Sequence, residues 1–205
     1  MQIKICGITN SNDALACASA GVDMIGLNFC KQSPRYIGPD QASLIARALP
    51  SSTQAVGVFV DSPVGEIRRV ARDVDLRIVQ LHGSESPETC ADLARDFDVI
   101  KALQIGNGFD PRKAFAYSMC TILLDTYDDQ MAGGTGEVGD WELARQTRKF
   151  ATRLILAGGL NPENVAEATE TVNPDGVDVC SSLESSPGIK DLKRVQQFVS
   201  AARPS

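Results

Sequence analysis

The sequence predicts an α/β protein of the (β/α)8 TIM-barrel class, organised as one domain over residues 1–205. Two observations carry this prediction. Strand-like and helix-like segments alternate along the chain in eight units, with a repeat of roughly 25 residues that suits a small barrel. The first predicted strand ends in Cys6-Gly7-Ile8-Thr9, which lacks the G-x-G-x-x-G spacing of a doubly wound dinucleotide fold.

Each predicted strand is a short apolar or β-branched run that leads into a polar or glycine-containing loop. The strands are predicted to begin near Ile3, Met24, Gln54, Arg77, Val99, Thr121, Leu154 and Val177. An amphipathic stretch follows each loop, and proline recurs at its start, where a first helical turn tolerates it. These helices are predicted to begin near Asn12, Pro39, Pro63, Pro87, Asp110, Trp141, Pro162 and Asp191.

Charge and cysteine usage limit the partners. The formal net charge is −6, and an acidic surface repels a phosphate backbone, so we expect no nucleic-acid partner. No apolar run approaches the about 20 residues that span a bilayer, so we expect no membrane association. The six cysteines are scattered, the N-terminus lacks a signal-peptide pattern, and there is one histidine. This pattern favours reduced thiols in the cytoplasm and argues against a metal site.

Four polar side chains are predicted to meet at the mouth of the barrel. Alternation in the first strand turns its isoleucines towards the helices and Cys6 inwards. The same reasoning places His82, Asp125 and Asp178 inside the barrel, near the C-terminal ends of their strands. Barrel enzymes keep their active sites at that end.

Cys6 and Asp125 are the candidate catalytic pair. A thiolate is a capable base when its pKa is lowered, and a partly buried carboxylic acid can donate a proton near neutral pH. Two such groups on roughly opposite strands could deprotonate a substrate carbon and protonate a departing oxygen. The alternatives are a packing cysteine at Cys6 and a helix cap or turn residue at Asp125.

The loops after the last two predicted strands suggest a phosphate site. Gly158 and Gly159 follow the seventh strand, and Ser181 and Ser182 follow the eighth. In barrels these two loops often bind phosphate through backbone N–H groups, and glycine permits close approach. An ordinary tight turn is the alternative.

Other loop residues could contact a ligand. Arg35, in the loop after the second strand, could pair with a carboxylate or lie as a solvated arginine. His82 could be a ligand contact or a satisfied inward histidine. The segment Gly133-Gly134-Thr135-Gly136 could act as a lid, contact the substrate, or be a plain mobile loop.

Seven segments in register resemble the phosphoribosylanthranilate isomerase family of tryptophan biosynthesis. They run from residue 4 to about residue 191 in family order. They are Lys4-Ile5-Cys6-Gly7-Ile8-Thr9, Ser33-Pro34-Arg35-Tyr36, Val56-Gly57-Val58-Phe59, Val79-Gln80-Leu81-His82-Gly83, Leu124-Asp125-Thr126 with Gly133-Gly134-Thr135-Gly136 and Asp140-Trp141, Leu156-Ala157-Gly158-Gly159-Leu160, and Gly176-Val177-Asp178-Val179.

The resemblance implies a cofactor-free barrel that catalyses an Amadori rearrangement of N-(5-phospho-β-D-ribosyl)anthranilate, a small phosphorylated substrate. It implies that Cys6 is the general base and Asp125 the general acid. It further implies that Arg35 holds the anthranilate carboxylate and that Asp178 lies near the anthranilate nitrogen. The phosphate cradle would comprise Gly158 and Gly159 with the loop from Ser181. We expect a monomer or a weak homodimer.

Two positions depart from the family pattern. Ser182 replaces a usual glycine, which would weaken phosphate binding if that position needs a positive φ or a close approach of the phosphate. Gly139 replaces a usual phenylalanine before Asp140-Trp141, with an expected loss of packing under the sixth helix. The alternatives are another phosphosugar barrel, such as a ribulose-phosphate epimerase or the histidine-pathway isomerase, and a binding barrel without activity.

Overall fold

A closed barrel of eight parallel strands forms the centre of the molecule. The structure is a computed structural model that describes residues 1–106, 108–125 and 140–203. Neighbouring strands pair in sequence order, and the first strand closes the barrel against the eighth. The strands are β1 (Gln2–Ile5), β2 (Met24–Asn28), β3 (Gln54–Phe59), β4 (Ile78–Leu81), β5 (Asp98–Gln104), β6 (Thr121–Asp125), β7 (Arg153–Ala157) and β8 (Gly176–Val179). The predicted (β/α)8 class is confirmed, and every observed strand begins within one residue of its predicted start.

Helices follow most of the strands. They are α1 (Ser11–Ser19), α2 (Pro39–Ala48), α3 (Val64–Val74), α4 (Pro87–Leu93), a 3-10 helix (Pro111–Tyr117), α5 (Trp141–Thr147), α6 (Val165–Val172) and α7 (Leu192–Ala202). Side-chain caps start several of them: Asn10 accepts from the Asp13 N–H before α1, and Asp191 accepts from two N–H groups at the start of α7. No α-helix or 3-10 helix in the described ranges is long and apolar enough to cross a membrane.

Two local predictions were wrong in detail. The segment after Asp110 is a 3-10 helix rather than an α-helix. Pro162 lies in a turn, and α6 begins three residues later, because Asn161 accepts hydrogen bonds from the N–H groups of Glu163 and Asn164 and closes that turn first.

The strands separate two apolar layers. Residues such as Ile3, Ile5, Val79 and Leu81 pack under the helices. The inner layer fills the barrel with alternate residues of the strands, namely Met24, Val56, Ile78, Ile100, Ala102, Leu123, Ile155 and Ala157. This alternation agrees with the predicted faces. The inward side chains that come after the inner layer, at the C-terminal ends of the strands, therefore lie at the mouth of the barrel.

A small hairpin after β8 was not predicted. It pairs β9 (Glu184–Ser186) with β10 (Ile189–Lys190), and Gly188 makes the turn at a φ of 83°. The hairpin lies beside the mouth of the barrel because Thr9 donates a hydrogen bond to the Gly188 carbonyl at 2.6 Å. It thereby fixes the positions of Glu184 and Lys190.

Candidate functional site

A cavity of about 630 Å³ opens at the C-terminal ends of the strands. Its volume is within the range of about 300–1,000 Å³ that is usual for small-molecule sites. All nine residues predicted for the site line this cavity: Cys6, Arg35, His82, Asp125, Gly158, Gly159, Asp178, Ser181 and Ser182. Closure of the barrel brings them together from strands that are distant in sequence.

Cys6 follows β1 and lies half-buried at the cavity floor. Its N–H donates to the Val179 carbonyl at 2.9 Å, which extends the β1–β8 ladder and places Cys6 next to Cys180. A hydrogen bond with the Cys180 thiol lowers the pKa of Cys6 well below its usual value, against the effect of burial. Nearby cations, foremost Lys4, lower it further. Cys6 is therefore the thiol of the pair that ionises, while the pKa of Cys180 is raised.

His82 and Asp125 face each other across the ends of β4 and β6. His82 Nε2 lies 3.5 Å from Asp125 Oδ2, and His82 Nδ1 lies 2.8 Å from Gln80 Nε2. The hydrogen bond with Asp125 raises the pKa of His82, although burial opposes it. Gln80 Oε1 is buried and has no hydrogen-bond partner within the described ranges. Rotating this amide would let Oε1 accept a hydrogen bond from the Nδ1–H of a charged His82, so the site can hold either protonation state.

A buried ion pair lies beneath Cys6. Lys4 Nζ contacts Asp178 Oδ1 at 2.9 Å, and the Lys4 side chain is 0% exposed. Burial raises the pKa of Asp178 to about 6, while the charge of Lys4 opposes the rise. The pair places a cation close enough to favour the Cys6 thiolate.

Replacing Lys4 with methionine should lower the free energy of unfolding by about 3–5 kcal/mol, because the Asp178 carboxylate is left buried without its cation. A carboxyl whose pKa is raised in the folded state makes the folded protein less stable as pH rises. Without Lys4 the pKa of Asp178 rises further above its wild-type value of about 6, so the deficit should be largest above that pH and smaller below it. Urea denaturation of both proteins at one acidic and one alkaline pH measures this. An equal deficit at both pH values would contradict the explanation.

Arg35 reaches the cavity from the loop after β2. Its guanidinium forms a bidentate pair with Glu184, with Nε–Oε1 at 2.9 Å and Nη2–Oε2 at 2.6 Å. Glu184 also accepts a hydrogen bond from Lys190 Nζ at 2.8 Å. The hydrogen bond to Glu184 raises the pKa of Arg35, which therefore stays charged.

The two loops predicted to bind phosphate lie side by side. Gly158 and Gly159 have φ angles of 85° and 65°, which only glycine adopts easily, so the backbone at this turn requires them. Ser182 Oγ donates to the Leu160 carbonyl at 2.5 Å and joins the loop after β8 to the loop after β7. Arg194 Nε donates a hydrogen bond to the Ser182 carbonyl at 2.6 Å.

The serine at position 182 fits its backbone. It lies in the short 3-10 helix Ser181–Leu183, and the non-glycine residues with positive φ in the described ranges are Asp61, Asp75 and Asn173. The positive-φ condition under which Ser182 would weaken phosphate binding is thus not met, while the condition of close phosphate approach stays a prediction. Gly139 and the segment Gly133-Gly134-Thr135-Gly136 lie outside the described residues.

Sequence alone did not single out Lys4, Cys180, Glu184 and Lys190. Lys4 shares the inward face of β1 with Cys6, and this alternation was the one available signal. The other three depend on contacts across the barrel closure and the hairpin.

Within the described ranges there is no group of three or more His, Cys, Asp or Glu residues that could hold a metal ion.

Replacing Cys180 with alanine should raise the pKa of Cys6, because a hydrogen bond that stabilises the thiolate is lost. The rate at which iodoacetamide alkylates Cys6, followed by peptide mass spectrometry across pH, reports this pKa. Serine at position 180 keeps a donor and should shift the profile less. Identical profiles for wild type and Cys180→Ala would show that the thiol pair does not tune Cys6.

Comparisons with known proteins agree with this geometry. The family model described as N-(5'phosphoribosyl)anthranilate (PRA) isomerase matches residues 3–201. The N-(5'-phosphoribosyl)anthranilate isomerase of Trichlorobacter lovleyi is 42% identical over 205 residues, covering 99% of this chain and 98% of that protein.

Two solved structures are similar over nearly the whole chain. A phosphoribosyl anthranilate isomerase in complex with reduced 1-(o-carboxyphenylamino)-1-deoxyribulose 5-phosphate has a TM-score of 0.89 and 41% identity, covering 98% of each chain. Mutually generated monomers of the dimeric enzyme from Thermotoga maritima have a TM-score of 0.90 and 40% identity, covering 100% of each chain. With its barrel, its cavity and these matches, the chain belongs to the phosphoribosylanthranilate isomerase family.

Proposed function

We propose that this chain catalyses the Amadori rearrangement of N-(5-phospho-β-D-ribosyl)anthranilate to 1-(2-carboxyphenylamino)-1-deoxy-D-ribulose 5-phosphate, a step of tryptophan biosynthesis. The observation that carries the proposal is the position of Cys6 and Asp125 on one cavity beside the two loops at its rim. A base with a lowered pKa and a carboxyl on the opposite strand are the two groups that an aldose–ketose rearrangement needs.

The proposed substrate lies across the mouth of the barrel. Its phosphate binds at Gly158, Gly159, Ser181 and Ser182, where glycine backbone permits close approach. Its anthranilate carboxylate pairs with Arg35. The ribose then lies between these two anchors, over Cys6 and Asp125. Holding the reacting atoms next to the acid and the base in this way lowers the barrier of both proton transfers.

In the first step Asp125 donates its proton to the ribose ring oxygen. The C1′–O bond breaks, its electron pair remains on the oxygen, and the anthranilate nitrogen shares its lone pair with C1′ to form a protonated imine. His82 contacts the same carboxyl, with Nε2 3.5 Å from Asp125 Oδ2. Asp178 lines the same cavity.

In the second step the Cys6 thiolate removes the proton on C2′. The electrons of the broken C–H bond form a C1′–C2′ double bond, and the imine nitrogen regains its lone pair, which gives an enolamine. Tautomerisation places a proton on C1′ and a carbonyl at C2′, so the product is the ketose. Substrate atoms accept and return all the electrons, and each proton transfer is worth about 10²–10⁴-fold in rate.

Loss of substrate fluorescence tests the proposal directly. Purified protein mixed with fluorescent phosphoribosylanthranilate should consume it with saturation kinetics. Saturable binding of the reduced product analogue without turnover would favour a binding barrel instead. Turnover of ribulose 5-phosphate in place of this substrate would favour another phosphosugar isomerase.

Three further expectations stay predictions. Residues 1–205 form a single barrel domain with its active site at the C-terminal ends of the strands, the enzyme works in the cytoplasm, and it is a monomer or a weak homodimer. Support for the dimer comes from the Thermotoga maritima relative, which is described as dimeric. Sedimentation over a range of protein concentrations would separate the two oligomeric states.

A further inference from the structure

The Glu184 carboxylate at the mouth of the barrel is held by three residues. Its carboxylate accepts from Arg35 Nε at 2.9 and 3.0 Å, from Arg35 Nη2 at 2.6 Å, from Lys190 Nζ at 2.8 Å and from the Gly188 N–H at 3.2 Å. The Glu184 side chain is 4% exposed and that of Lys190 is 0% exposed. Burial alone would raise the pKa of Glu184, but the two cations reverse the shift and keep it ionised.

The bonds to Glu184 use one edge of the Arg35 guanidinium. A guanidinium offers a side edge, Nε with Nη2, and an end edge, Nη1 with Nη2, and either can hold a carboxylate bidentately. Glu184 occupies the side edge, and Nη1 of Arg35 donates no hydrogen bond to any of the described residues. The end edge is therefore the one left for a ligand in the cavity that Arg35 lines.

The two partners differ in how far they can move. Glu184 begins the β9–β10 hairpin and is held by Lys190 and Gly188 of the same hairpin. Arg35 comes from a loop 149 residues away, and its side chain is 21% exposed. Removing the bond would release the arginine rather than the hairpin, because a long side chain regains rotamer freedom once its fork is free.

The charges favour an anionic ligand. Arg35 and Lys190 carry two positive charges against one negative charge on Glu184, so these three residues together keep one positive charge, part of which the nearby Cys6 thiolate offsets. Glu184 thus orients the arginine without cancelling the attraction for a carboxylate.

We propose that Glu184 is a positioning residue that holds the Arg35 guanidinium with its end edge towards the aromatic carboxylate of the substrate. This inference rests on the proposed function, which assigns that carboxylate to Arg35. It predicts that Glu184 contributes to recognition of the carboxyl group alone and leaves the phosphate anchor unaffected.

Two ligands that differ by one group test it. The first is reduced 1-(o-carboxyphenylamino)-1-deoxyribulose 5-phosphate, and the second is the same molecule with a phenyl ring that lacks the carboxyl. Calorimetry should give a Glu184→Gln variant about tenfold weaker binding of the first ligand and unchanged binding of the second. KM for the substrate should rise by a similar factor, with a smaller change in kcat.

A second variant and a matched control guard against a folding effect. Glu184→Asp keeps a negative charge beside buried Lys190 but shortens the reach to Arg35, so it should fold and show the same selective loss. Glu142→Gln removes an equally bidentate pair with Arg145, with contacts of 2.7 and 2.8 Å, on exposed helix α5, and should change neither affinity.

A double-mutant cycle assigns the effect to Arg35. In an Arg35→Ala background, Glu184→Gln should cause no additional loss for the carboxylated ligand. Equal weakening of both ligands, or additive losses in the cycle, would overturn the positioning role. If the wild-type protein does not turn over phosphoribosylanthranilate, the proposed function fails, whereas normal wild-type turnover with unchanged ligand discrimination in both variants defeats only this inference.

Discussion

Replacing Cys6 with serine is expected to lower kcat by about 10²–10⁴-fold while substrate binding persists. A serine hydroxyl is nearly isosteric, but its pKa is far too high for it to act as a base at neutral pH. The thiol in its place is ionised with the help of Cys180 and Lys4. Fluorescence-based turnover gives kcat, and calorimetry with the reduced product analogue shows whether the cavity is intact.

The pH dependence of kcat/KM in the wild-type protein gives a second test of Cys6. The active form of Cys6 is the thiolate, so kcat/KM should fall as pH drops through the lowered pKa of this thiol. Activity should therefore persist to a lower pH than it would with a base that has the pKa of an ordinary cysteine. Near-normal kcat in Cys6→Ser, with product formation verified, would remove Cys6 from the mechanism.

Asparagine at position 125 is expected to lower kcat by about 10²–10⁴-fold as well, because an amide cannot protonate the ring oxygen. The shape of the side chain is conserved, so the affinity for the product analogue should change little. Asp110→Asn is the matched control: it makes the same isosteric change in an exposed pair with Arg112, away from the cavity. Its kcat should equal that of the wild type.

Deuterium at C2′ of the substrate would separate the two catalytic roles. In Cys6→Ser the C2′–H cleavage becomes rate-limiting, so a large primary isotope effect is expected. In Asp125→Asn ring opening becomes rate-limiting, and the isotope effect on kcat should shrink towards unity. The reverse pattern would exchange the roles of the two residues.

Much of the barrel follows from local patterns in the sequence. Apolar runs punctuated by glycine and proline locate each strand start to within one residue, since buried parallel strands tolerate few polar residues. Period-two alternation then assigns faces, which is why Cys6, His82 and Asp125 could be expected on one cavity. The helix after Asn161 was placed too early, because a side-chain turn there competes with helix initiation.

The environment of each site residue belongs to the tertiary structure. Closure of β1 on β8 brings Lys4 to Asp178, 174 residues away, and sets Cys180 beside Cys6. The β9–β10 hairpin sets Glu184 against Arg35 across 149 residues. Residue types and their spacing determined which groups face the cavity, because strand periodicity is local. Which partners ionise or orient them was decided by packing between distant segments, since electrostatic and hydrogen-bonding effects depend on separation in space and on burial.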